Sequence, residues 1–252
     1  YMMVGATLVR VPREGWLPEG YVPATKSSGL VTSANVHVDE ALKTPQFWLL
    51  WGVLCLNVTA GIGVLGQASL MSQEMFPGII TPAAAAGFVG LLSLFNMAGR
   101  FFWASTSDYI GRRNTYMIFF ALGVVIYALV PTAGQMGSIV LFVLLYAIIL
   151  SMYGGGFATI PAYLRDVFGT KYVGAIHGRL LTAWSVAGVA GPVLVNYIRE
   201  YQIANGVAKA DAYTVTMYIM AGLLAVGFLL NFLMKPVAAK HHLPADPRPL
   251  AA

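Results

Sequence analysis

The chain has 252 residues, of which 58% are hydrophobic and only 10% charged, and its mean hydropathy is +0.71. A water-facing globular domain carries about 25% charged residues, so an ordinary soluble fold is excluded and most of this surface suits lipid. The formal net charge of +5 is dealt out among short loops, so it does not point to a nucleic-acid partner. The single cysteine, Cys55, excludes an intrachain disulfide.

Residues 1–9 are a short apolar end with no charged leader or cleavage site, so they do not read as a signal peptide. The chain begins with Tyr1 rather than Met, and 1–9 reads as the end of an earlier membrane helix in a longer protein. Residues 10–46 form a polar linker with Pro12, Pro18 and Pro23 and a Ser/Thr/Gly-rich centre. Six apolar stretches follow, at 47–71, 83–104, 115–133, 138–164, 176–198 and 213–234. Each approaches the roughly 20 residues that cross a hydrocarbon core of about 30 Å. Lipid offers no partner to free backbone groups, so each is expected to be a helix. Residues 235–252 are left as a polar tail. The expected fold class is an all-α polytopic membrane protein with a six-helix unit at 47–234.

Basic residues set the expected orientation. Arg10, Arg13, Lys26 and Lys43 lie before the first span, and Arg112 and Arg113 lie between spans two and three. Arg165 and Lys171 lie between spans four and five, with Arg179 just inside the cytoplasmic end of the fifth, and Lys235, Lys240 and Arg248 lie in the tail. The opposite side has only Arg199 and Lys209. The positive-inside rule then puts the linker and the tail in the cytoplasm, as an even number of spans requires.

The loop between spans two and three reads Ala104-Ser-Thr-Ser-Asp108-Tyr-Ile-Gly111-Arg112-Arg113-Asn114. Gly111 suits a tight turn, Asp108 can cap or pair, and the arginines suit carboxylates or helix C-termini. This resembles the signature loop of the major facilitator superfamily, with Asp108, Gly111, Arg112 and Arg113 matching and Ala104, Thr106 and Tyr109 departing from it. Three further segments, Thr44 to Trp51, Gly154 to Arg179 and Ala183 to Pro192, resemble the oxalate/formate antiporter family. The resemblance implies helices seven to twelve of a twelve-helix secondary transporter in a cell membrane. It also implies an N-terminal six-helix half as partner, residues 10–46 as the central cytoplasmic loop and 235–252 as a cytoplasmic tail. It implies no cofactor, and it makes Asp108, Gly111, Arg112 and Arg113 a loop that helps hold one closed state.

Arg100 is the one charge in the interior of a span, and a buried cation in hydrocarbon is by default a functional candidate. It lies eight residues from Asp108, roughly 12 Å along a helix, so snorkelling to the interface is the other reading. Asn96, four residues earlier, shares its face. An arginine can hold a carboxylate bidentately, with Asn96 as a hydrogen-bond donor beside it. The resemblance implies that an arginine on this helix binds substrate carboxylate. It also implies a second basic residue, a lysine in the middle of helix eleven; here Trp184 stands near that depth and no lysine does. One cation favours a monoanion such as formate, lactate or pyruvate over oxalate. A sugar or drug carrier is the rival among transporters, and it would favour mid-span amides or acids, whereas no buried acid is expected here.

Tyr153 and Phe157 lie four apart around Gly154–Gly156 and, with Trp184, could wall a small anion or simply pack. The glycine run lets a neighbouring helix approach closely or bend, and Gly188 to Pro192 is expected to kink the fifth span. His241 and His242 are expected to stand free in a Pro-rich tail. No Cys/His spacing suits zinc, and no nucleophile–base set suits an intramembrane enzyme, so neither metal nor catalytic residue is expected. A non-transporting sensor or scaffold would need richer loops than these.

Overall fold

The computed structural model describes residues 29–244; the 1–9 segment, the linker before Gly29 and the tail beyond Pro244 lie outside the described residues. Among the described residues six helical stretches are long and apolar enough to cross a membrane. A one-turn helix α1 (Val38–Ala41) leads into α2 (Pro45–Met75), followed by α3 (Pro82–Ile110), α4 (Arg112–Gln135) and α5 (Ile139–Phe168). The fifth span comes as two helices, α6 (Val173–Leu180) and α7 (Thr182–Ala204), and α8 (Thr214–Phe232) is the sixth. The fold is all-α, and a lone β-bridge joins Val36 to His242.

Local chemistry fixes the ends. Thr44 accepts from the Phe47 amide ahead of Pro45, and Thr81 accepts from the Ala84 amide ahead of Pro82. A hydroxyl cap followed by proline is a strong helix start, because proline lacks the N–H that the first turn cannot bond. Gly111, at φ +87°, ends α3 and starts α4 in one residue, a backbone state that a side chain would oppose.

The helices run alternately up and down, so one end of the bundle collects the linker, the 111–114 turn, the α5–α6 turn and the tail. We call this the basic end. The most buried spans are α2 and α5, with 61% of each apolar window covered; α3 and α6–α7 have only 22% covered. Their outward residues, among them Leu94, Met97, Phe101, Val189 and Val193, are apolar and exposed.

Glycines set the tightest crossings. A Cβ on Gly99 would stand 2.1 Å from the Ser151 carbonyl oxygen, and one on Gly154 would stand 2.1 Å from that of Asn96. The backbones of α3 and α5 therefore touch, as small residues permit in membrane helices. Gly63 and Gly191 do the same for α2 and α7, and Gly227 of α8 receives the Phe120 ring of α4.

Two expectations are corrected. The fifth span breaks at Leu181, while α7 runs unbroken through Pro192; neighbouring helices let a membrane helix tolerate the lost proline hydrogen bond. His241 does not stand free: its Nδ1 lies 3.1 Å from Glu40 Oε2, and the tail pairs with the linker through Leu243 N to Asn35 O at 2.8 Å. An acid beyond the apolar run, Glu74 in the last turn of α2, is partly buried, with its side chain 10% exposed.

Candidate functional site

The close α3–α5 contact decides where Arg100 stands. With Gly154 against the Asn96 backbone, Arg100, one turn further along α3, comes to face Phe157, one turn further along α5. The guanidinium carbon lies 5.1 Å from the Phe157 ring centroid, within cation–π range. Its Nε donates to Asn96 Oδ1 at 3.3 Å. Phe157 meets Trp184 of α7 edge-on at 4.3 Å, and Tyr153 lies 6.2 Å from Trp184. The five residues singled out from the sequence are thus brought together from three helices. Gly61 seats the group from behind, since a Cβ there would overlap the Tyr153 ring at 2.2 Å.

Chemically, the cluster is one cation in an aromatic setting. Arginine has five N–H donors in a fixed fork, and here only Nε meets an acceptor among the described residues. No carboxylate pairs with Arg100 among the described residues. The side chain is exposed on the α3 face that the bundle leaves uncovered. A free fork of this kind matches the two oxygens of a carboxylate.

The basic end holds a second constellation. Arg112 pairs with Asp108 and donates to Ser107 Oγ, and its Nε lies 3.9 Å from Asp166 of α5. Arg113 caps the last turn of α8 by donating to the Phe232 carbonyl at 2.7 Å. Asn231 of α8 answers by donating to the Arg113 carbonyl at 2.9 Å and accepting from Tyr163 of α5 at 3.0 Å. The 108–113 turn therefore ties α3, α4, α5 and α8 at one end. Asp166 and Asn231 were not singled out from the sequence. Asp166 has a local signal, lying one turn before Gly169, the glycine that ends α5.

Linker and tail add to the same end. Gln46 donates to the Lys235 and Pro236 carbonyls, Val36 N donates to Phe168 O at 3.0 Å, and Arg179 of α6 pairs with Asp39 at 2.8 Å. The Arg179 guanidinium holds the Asp39 carboxyl below its ordinary range, and Lys43 and then His241 do the same for Glu40.

At the opposite end, Glu74 of α2 takes Arg199 of α7 on both oxygens and accepts from the Tyr213 hydroxyl ahead of α8. This three-helix clamp also escaped the sequence reading, because Glu74 lies beyond the apolar run at 47–71. Among the described residues no three His, Cys, Asp or Glu side chains stand close enough to hold a metal ion.

The comparisons agree with this architecture. The family model described as Major Facilitator Superfamily matches residues 3–192 and 83–251. The chain belongs to the Major Facilitator Superfamily. It is therefore a multi-pass membrane chain of a transporter superfamily. Among curated relatives it is similar to the oxalate:formate antiporter of Oxalobacter formigenes, 33% identical over 166 residues, covering 66% of this chain and 39% of that protein. It is also similar to apicoplast pyruvate carrier 1 of Toxoplasma gondii, 23% identical over 218 residues, covering 83% of this chain and 37% of that protein. The chain thus spans under two fifths of the length of these relatives. A solved bacterial homolog of the human lysosomal transporter Spinster, inward-facing and unoccupied, superposes with a TM-score of 0.64 at 14% identity. That match covers 92% of this chain and 55% of the other, and it bears on the fold.

Proposed function

We propose that this superfamily member forms the C-terminal six-helix half of a transporter for small carboxylates, with Arg100 as the group that takes the substrate's charge. The observation that carries the reading is the Arg100 fork itself: held on the Phe157 face by Asn96, free of any acid among the described residues, and walled by Tyr153, Phe157 and Trp184. The printed names of the relatives, an oxalate:formate antiporter and a pyruvate carrier, support the same substrate class. The uncovered faces of α3 and α6–α7 suit an N-terminal half of the same protein as partner. In this reading 10–46 is the central loop and 235–252 the tail. Both lie in the cytoplasm of a cell whose cytoplasmic membrane holds the protein, because the basic residues gather at that end.

Mechanistically, a carboxylate entering between the halves neutralises Arg100. An unpaired cation opposes closure around itself, and a paired one does not, so substrate biases the rocking of one half on the other. The ties at 108–113 with Asp166 hold the basic end, and the Glu74–Arg199–Tyr213 clamp holds the opposite end, so that this half moves as a body. With a single cation at the cluster, a monocarboxylate is the better fit; among the described residues no second positive charge stands beside Arg100 for the far oxygens of a dianion. Glu74 is fully engaged by Arg199 and Tyr213, so it does not supply the free acid a sugar or drug carrier would favour.

The test is ligand-dependent thermal stability of the full-length transporter in detergent. A ligand that binds the folded state raises Tm with its concentration. Formate, lactate or pyruvate should raise Tm in the wild type and leave Arg100→Ala unmoved. Equal stabilisation of both proteins, or stabilisation by sugars alone, would overturn the reading.

A further inference from the structure

Three residues past Arg100, Trp103 of α3 is held from three sides. Its side chain lies on the bare backbone of Gly155 of α5, where a Cβ would stand 2.5 Å from the Trp103 Cβ and 2.7 Å from its Cγ and Cδ1. The Phe119 ring of α4 meets the indole edge-on at 5.0 Å. The indole Nε1 donates to Ser151 Oγ of α5 at 3.3 Å. The Ser151 hydroxyl itself donates to the Ile148 carbonyl of its own helix at 2.8 Å. Its hydrogen is therefore committed, and the lone pairs of its oxygen are left for the indole.

Ser151 thus meets α3 twice. Its backbone carbonyl crowds Gly99, the residue before Arg100, and its side chain takes Trp103, three residues after. The glycine contacts set how near and at what height α3 lies on α5, but a smooth backbone contact has little preference for one rotation of a helix about its axis. A hydrogen bond is directional and weakens steeply off line. Among the described residues, Trp103 to Ser151 is the one hydrogen bond between α3 and α5. Residues three apart project about 60° apart around a helix, so a tie at Trp103 also fixes where Arg100 points. That direction is at the edge of the α3–α5 contact, with the guanidinium carbon 5.1 Å from the Phe157 centroid.

We propose that Trp103 and Ser151 are positioning residues for Arg100. Through their hydrogen bond they fix the rotation of α3 and hold the guanidinium fork over Phe157. They act through Arg100 rather than on the substrate. Their role in binding rests on the carboxylate reading of the Arg100 cluster; the orienting of α3 does not.

The experiment compares the full-length transporter with Trp103→Phe, Ser151→Ala and the double variant. Phenylalanine keeps a ring on Gly155 and leaves the Ser151 hydroxyl bonded to Ile148, so Tm should stay within a few degrees of wild type. KM for uptake of formate, lactate or pyruvate should rise about three- to fivefold at similar maximal rate, as loss of one hydrogen bond allows. Ser151→Ala should act alike, and the double variant should be no worse than either single one, because all three lack the same bond. An unchanged KM beside a lowered Tm would make the pair a packing contact, and losses that multiply would show two separate effects; either result overturns the proposal. A second readout needs no substrate. On a cysteine-free background, the rate at which a water-soluble methanethiosulfonate labels Arg100→Cys reports how that position faces. Adding Trp103→Phe should change this rate by about threefold or more, since the directional tie is gone; an equal rate would overturn the orienting role. If the wild type takes up no carboxylate, the functional reading falls, and the labelling rate still decides whether Trp103 orients α3.

Discussion

The carbonyl oxygen of Asn96 lies 2.1 Å from the position a Cβ on Gly154 would occupy. This contact is backbone against backbone, so nothing in it can rotate away. It sets the height of α3 on α5, and with it the distance from Arg100 to Phe157.

Alanine at Gly154 should therefore separate the two helices. Overpacking of this kind costs about 1–3 kcal/mol, and Gly99→Ala should behave alike because its Cβ would meet the Ser151 carbonyl at 2.1 Å. Gly90, with open space around its Cβ position, is the control and should tolerate alanine. Thermal unfolding in detergent measures the stability loss, and carboxylate-dependent stabilisation should vanish in both destabilised variants.

Phe157 should matter for affinity more than for folding. Its ring is partly exposed and meets the Arg100 guanidinium at 5.1 Å. Cation–π contacts at exposed sites are worth about 0.5–1 kcal/mol. Phe157→Leu keeps an apolar wall but frees the guanidinium, so KM for uptake should rise roughly two- to fivefold, with Tm within a few degrees of wild type. A large fall in Tm with unchanged KM would make Phe157 a packing residue.

The Glu74–Arg199–Tyr213 clamp should carry much of the stability of the opposite end. The pair is partly buried, so breaking it should cost about 1–3 kcal/mol, between an exposed pair and a buried one whose other charge is left unpaired. Glu74→Gln alone should lower Tm sharply, and adding Arg199→Gln should recover part of the loss. Additive losses would show that the two side chains act separately.

The linker–tail ties at the basic end should loosen in acid. Asp39 and Glu40 are held below their ordinary values of 3.8 and 4.5 by Arg179, and by Lys43 and His241. Their folded values lie below the unfolded ones, so the contribution is complete above about pH 4.5 and is lost as pH falls through the lowered values. Lys43 is raised, so its share is present below 10.5 and is lost as pH rises through its folded value. Hydrogen-exchange protection of 29–44, taken relative to the intrinsic amide rate at each pH, should be high at pH 7 and lower below pH 4. Equal protection at both would contradict these ties.

Much of this architecture is written locally in the chain. Six apolar runs gave six spans, and the Thr44-Pro45 and Thr81-Pro82 pairs mark helix starts one or two residues ahead of the apolar runs. Arg100 with Asn96 was legible because helical spacing alone puts them on one face. Tyr153, Phe157 and Trp184 were singled out beside them as walls or packing, but the distances were not legible, because they depend on how closely two backbones approach, which no single segment encodes. Glu74 escaped because it sits one turn beyond the apolar run, where an acid normally reads as interfacial. The break at Leu181 escaped for the opposite reason: Pro192 is the stronger local signal, and packing overrides it. The tail reads as coil from its prolines, and its pairing with Asn35 and Glu40 links positions some 200 residues apart.

The most direct test of the central claim is uptake of radiolabelled formate, lactate, pyruvate and oxalate into proteoliposomes holding the full-length transporter. Wild type, Arg100→Lys and Arg100→Ala are compared at equal reconstitution. The account predicts saturable uptake of a monocarboxylate, weakened in the lysine variant because the bidentate fork is gone. In the alanine variant it should fall by about tenfold or more, in line with the loss of charged hydrogen bonds. Undiminished uptake by Arg100→Ala would contradict it.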